Sequence, residues 1–137
     1  MMMLQNADGK PKSLRLWVDD IRTPPDDTWH IARTIGAAVR ALDAFKDGIT
    51  EINIDHDISH QVSLGAMSRP YPCEETFETV ARYVALLKEQ DANWNPIIHI
   101  RTSNPAGALR MKQILEDSGL LPDVEFPKGA NRLETIL

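Results

Sequence analysis

Three short stretches of this chain place reactive side chain types directly after apolar runs. Asp19-Asp20 follow LRLWV, Asp55-His56-Asp57 follow INI, and Arg101-Thr102-Ser103-Asn104 end the run IIHIRTSN. Carboxylates gathered in one place repel one another unless a solvated turn, a salt bridge, a metal ion or a substrate relieves them; if it is a metal, hard oxygen donors favour Mg²⁺ or Mn²⁺. Asp19, Asp20 and Asp55 are therefore candidate metal ligands, with Asp57 as a fourth acid nearby. An imidazole gives or takes a proton near neutrality, so His56 is the candidate general acid or base, flanked by Asp55 and Asp57. Arg101 offers a planar donor fork for phosphate, and Arg22 is a second cation for the same task. Thr102, Ser103 and Asn104 add hydroxyl and amide groups at a helix start, where free backbone N–H groups attract anions. Together these groups suit the binding of an anion such as phosphate.

Such residues lie far apart in sequence, so the elements must bring them together. Residues 14–20 read as a strand, and 21–28 (IRTPPDDT) as a loop, because two prolines block a helix interior. Residues 29–34 read as a short strand and 35–46 as a helix, with Ile35, Val39, Leu42 and Phe45 at helical spacing. A third strand spans 49–55. Residues 59–73 lack periodicity and are long for a connection, which suits a lid. The stripe Phe77, Val80, Ala81, Val84, Leu87 marks a helix over 74–90, with Glu74 and Glu75 at its positive N-terminal end. Residues 96–102 form a fourth strand, 105–118 a helix with Pro105 in its first turn, and 124–126 a last short strand. A terminal turn or helix is expected over 131–137. Strands alternating with helices indicate the α/β class with a parallel sheet covered by helices. In such sheets ligands bind outside the carboxyl ends of the strands, which is where all three polar clusters fall. If Asp55 and Asp57 continue the strand's alternation they share one face, with His56 on the other.

Composition sets bounds on this reading. The chain has 137 residues, of which 42% are hydrophobic and 26% charged, with a net charge of −5. Such a balance fits one domain over 14–137 behind a flexible tail over 1–13. An acidic total argues against a general nucleic-acid coat or a membrane-surface binder, but not against a local phosphate site. No apolar run approaches the ~20 residues of a membrane span, and the start lacks a signal-peptide core. The single cysteine, Cys73, permits no internal disulfide and fits a reducing cytoplasm. Trp17, Trp29 and Trp94 read as packing residues, and His30 and His60 as surface residues. His99, inside a strand, reads as a packed or hydrogen-bonded histidine.

The run LWVDDIRTPP, then INIDHD, then IIHIRTSNPAGALRM, resembles the cyclic-phosphate-processing receiver-like domains, which are remodelled response-regulator receivers. The resemblance implies a flavodoxin-like parallel sheet flanked by helices, with the first helix replaced by the Pro-rich loop. By match it implies Asp19 and Asp20 as the acidic pair holding Mg²⁺ and Asp55 as the third-strand aspartate. Thr102 or Ser103 would be the hydroxyl after the fourth strand, and Lys128 stands near the place of the lysine after the fifth. Arg101 stands where that family often carries histidine. The implied function is processing of 2′,3′-cyclic phosphates on nucleotides or RNA ends, with a small phosphate ester or a nucleic-acid terminal phosphate as partner. The alternatives are a non-catalytic phospho-ligand or protein-interaction module, and a signalling receiver phosphorylated on Asp55.

Overall fold

The computed structural model describes residues 13–58 and 76–126. The expectations on residues 1–12, 59–75 and 127–137, which include the lid, Cys73, His60, Glu74, Glu75, Lys128 and the terminal turn, lie outside the described residues.

Five strands form one parallel sheet: β1 Leu14–Val18, β2 Trp29–Ala32, β3 Ile49–Ile54, β4 Ile97–Arg101 and β5 Asp123–Glu125. Their order is β2-β1-β3-β4-β5, the flavodoxin-like order. Among the described residues three α-helices accompany them: α1 Ile35–Phe45, α2 Glu78–Gln90 and α3 Pro105–Asp117. All strand and helix expectations within the described residues are met to within a few residues. The largest shift is at α2. It begins at Glu78 rather than at residue 74, because Thr76 pairs with Asp57 in an isolated antiparallel bridge and Phe77 forms the N-cap.

Register explains how the sheet's two faces differ. Leu16, Ile52 and Ile98 lie side by side, as do Val18, Ile54 and Ile100. These six are fully buried and join Leu42, Phe77, Val80, Val84, Met111 and Leu115 from the helices in one core. All three helices pack on this face. The alternate positions carry Arg15, Trp17, Glu51, Asn53, His99, Arg101, Asp123 and Glu125. Among the described residues no helix covers that second face. It is held by polar pairing instead. Arg15 Nε donates to Glu51 at 2.9 Å, while the His99 ring nitrogens meet Glu51 Oε2 at 2.5 Å and Asp123 Oδ1 at 2.8 Å. Burial pushes the Glu51 carboxyl up, but the hydrogen bonds from His99 and Arg15 outweigh it and hold the pKa below its ordinary value. His99 is thus a hydrogen-bonded strand histidine. Trp17 and Trp29 pack edge to face at 5.3 Å outside the main core, whereas Trp94 belongs to it.

Parallel neighbours normally need a helical crossover of a dozen or more residues. Here β1 reaches β2 through residues 19–28, which form no helix. Side chains brace this link: Arg33 Nη1 donates to the carbonyls of Asp19 (3.1 Å) and Arg22 (2.6 Å), and Trp17 Nε1 donates to Arg22 O (3.0 Å). Such bonds from a charged donor contribute about 1.5–3 kcal/mol together with the geometry they fix. Arg33→Met is expected to lower stability by about that amount and to loosen the turn that carries Asp19, Asp20 and Arg22. Thermal melting and amide exchange at Asp19–Arg22 check this, and wild-type exchange there would refute it.

Candidate functional site

Two polar clusters form where the strands end. The first gathers the acids. Asp19 is 1% exposed, and its Oδ1 accepts the backbone N–H groups of Ile21 (3.0 Å) and Arg22 (2.9 Å), which fixes the carboxylate in a tight turn. Asp55 is 5% exposed, and its Oδ1 accepts the N–H of His56 at 2.8 Å. Asp19, Asp20 and Asp55 each bring one carboxylate oxygen into a group whose members all lie within 4.8 Å of one another. Asp19 Oδ2 is buried without a hydrogen bond. The guanidinium of Arg22 stands over the group, its Nη1 3.7 Å from Asp19 Oδ2 and 3.9 Å from Asp55 Oδ1. That same nitrogen donates to Arg101 O at 3.4 Å. Burial and the neighbouring Asp19 charge push the Asp55 carboxyl up to about 6, against the lowering pull of its backbone bond, of Arg22 and of the Thr102 hydroxyl. Thr102 is fully buried here.

A second cluster lies on the helix side. Two residues past the end of β3, His56 turns its ring under α2 and α3. The side chain is 3% exposed, with Nδ1 2.7 Å from Asp57 Oδ1 and Nε2 2.8 Å from Glu78 Oε2. Both ring nitrogens thus face carboxylate oxygens, and the Asn104 amide nitrogen stands 3.5 Å from Nδ1. Asn104, the N-cap of α3, accepts the N–H of Gly107 and donates to Asp57 Oδ1 at 3.2 Å. Arg110 Nε donates to Glu78 Oε2 at 3.1 Å. Burial pushes the Glu78 carboxyl up, but the bonds from His56 and Arg110 outweigh it and leave its pKa lowered. Gly107 completes the packing, because a Cβ there would stand 2.5 Å from His56 Cγ.

The sequence-derived residues therefore divide. Asp19, Asp20, Asp55, Arg22 and Thr102 come together. His56, Asp57 and Asn104 form the second group, with both nitrogens of the imidazole occupied. The expected shared face for Asp55 and Asp57 is not seen, since the strand's alternation stops at Ile54 and Asp57 turns to His56. Arg101 reaches neither cluster with its guanidinium, whose Nη2 donates to the two Glu125 oxygens at 3.2 and 3.3 Å on the face that no described helix covers. Ser103 is exposed at the rim. Sequence reasoning missed Glu78, Arg110 and Arg33. For Glu78 a signal existed, an acid at a helix start, but the start was placed four residues too early. Arg33 and Arg110 carried no pattern.

The acid trio fits a divalent cation, on the observation that a buried carboxylate oxygen of Asp19 is left without a donor. No curated protein and no solved structure matches the chain. A family model described as the cyclic-phosphate processing receiver domain matches residues 14–117. With this sheet order, and with three acids at the ends of its central strands, the chain belongs to the cyclic-phosphate processing receiver domain family.

Proposed function

We propose that the acid trio binds a phosphate ester with the help of Mg²⁺ or Mn²⁺ and hydrolyses a 2′,3′-cyclic phosphate on a nucleotide or an RNA end, water adding to phosphorus as one ribose oxygen leaves and takes up a proton. The observation that carries this reading is the cluster of three carboxylates around an unsatisfied buried oxygen, with Asp55 held near pKa 6 by burial and like charge. Asp19, Asp20 and Asp55 would hold the cation, which would neutralise them and polarise a phosphoryl oxygen. Arg22 is the protein cation at this place, and its remaining N–H groups suit the equatorial oxygens of a phosphate. The bonds from Arg33 and Trp17 hold the Asp19–Arg22 turn in place before a ligand arrives. Thr102 orients the Asp55 carboxylate, and Ser103 offers an exposed hydroxyl beside it. His56 supports the site from behind by fixing the chain directly after Asp55.

One observation favours a second reading, binding without turnover. Both ring nitrogens of His56 are engaged by carboxylates, so this arrangement supplies no imidazole to protonate a leaving oxygen. Incubating the protein with a 2′,3′-cyclic mononucleotide in Mn²⁺ or Mg²⁺ separates the two. The expected product is a linear nucleoside monophosphate, with loss of at least a hundredfold in rate on adding EDTA or in Asp55→Asn. Tight binding with unchanged ligand would replace the enzyme reading by the binding one.

A further inference from the structure

A cavity of about 190 Å³ adjoins the acid trio on the side of the sheet that no described helix covers, and the proposed phosphate chemistry does not account for it. Asp19 and Arg22 form the wall it shares with the trio. Its other walls are Trp17, Thr23, Arg101, Glu125 and Phe126. The volume is below the range typical of drug-sized ligands but exceeds what a phosphate alone needs. Charge decides what it can take. Two cations, Arg22 and Arg101, face two carboxylates, Asp19 and Glu125, so the lining is balanced and a second phosphate gains nothing there. A neutral group with its own donors and acceptors suits it better.

The walls also have a shape. Trp17 lines the cavity as a fixed wall, 3% exposed, with its N–H bound to Arg22 O and its ring against Trp29. Arg101 is held in place by its Nη2, which donates to both oxygens of Glu125 at 3.2 and 3.3 Å. Planar guanidinium groups and aromatic rings are the surfaces on which bases stack, and Phe126 adds a second ring. Resting on the phosphate reading above, we infer that this cavity is a base subsite, so that the ligand is a ribonucleotide end and not a base-free phosphate ester.

Calorimetry in Mg²⁺ with adenosine 2′,3′-cyclic monophosphate and with glycerol 1,2-cyclic phosphate tests this, with products checked by chromatography. Stacking of one base is worth roughly five- to hundredfold in affinity. The nucleotide is expected to bind at least tenfold more tightly. Arg101→Gln and Phe126→Leu should each remove most of that margin and leave the glycerol ester's affinity unchanged. Phe126 packs against the core, so its variant is checked by melting; if it fails to fold, Arg101→Gln, at a half-exposed position, decides. Equal affinities for the two esters would overturn the base subsite and leave the phosphate reading standing. Failure of both to bind would overturn the two together.

Discussion

Millimolar Mg²⁺ or Mn²⁺ is expected to raise the melting temperature of this protein by about 10 °C at pH 7, by much less at pH 4, and not at all in Asp55→Asn. The reason is the raised pKa of Asp55. Its carboxyl is pushed up to about 6 in the folded protein from an ordinary 3.8, so the folded state holds the proton more tightly. Well below pH 3.8 both states are protonated and the group costs nothing. As pH rises through 6 the folded protein must carry a buried charge beside Asp19, and the cost reaches about 3 kcal/mol. Without metal, stability from this group therefore falls between pH 4 and pH 7. A bound cation removes the repulsion, and at a hundredfold excess over Kd, binding contributes about 2.7 kcal/mol by mass action. Metal-free Asp55→Asn is expected to be more stable than wild type at pH 7 and indistinguishable at pH 4. Differential scanning fluorimetry across pH, with and without metal, reads all of these. A wild-type melting temperature indifferent to both cations at pH 7 would remove the proposed metal site.

Gly107→Ala is expected to be the most disruptive single-methyl change in the described structure. Its added Cβ would lie 2.5 Å from His56 Cγ and 2.6 Å from both Nδ1 and Cδ2, closer than real contacts allow. The ring cannot retreat, because it is 3% exposed and tied at both nitrogens. Either the ring leaves or α3 shifts. Overpacking costs about 1–3 kcal/mol, and losing a buried charged contact adds to it. Loss of about 3 kcal/mol, or failure to fold above room temperature, is the expected outcome. A double-mutant cycle supplies the control. In a His56→Ala background the space is vacant, so Gly107→Ala should there cost less than 1 kcal/mol. Equal costs in the two backgrounds would show that the ring is not what Gly107 accommodates.

Much of the architecture was legible because it rests on local pattern. Apolar runs such as LRLWV and INI can only be strands buried on the core side, and Pro24-Pro25 exclude a helix after β1. The NPAG start of α3 is likewise local: Asn104 caps it and Pro105 tolerates its first turn. That the acid pair and Asp55 meet at one rim follows from parallel strands placing all their carboxyl ends together.

The amino-acid order by itself determined which residues end the strands, which links carry no helix, and hence that Asp19, Asp20 and Asp55 share an edge. Only the tertiary structure decided where the side chains beyond those ends turn. Once β3 stops at Ile54 the alternation no longer constrains direction, and His56 goes to Glu78 and Asp57 instead of to a ligand. Arg101 goes to Glu125 for a similar reason: in a parallel sheet their register sets them side by side on a face that carries no described helix. Contacts of this kind join residues tens of positions apart, and no local spacing records them.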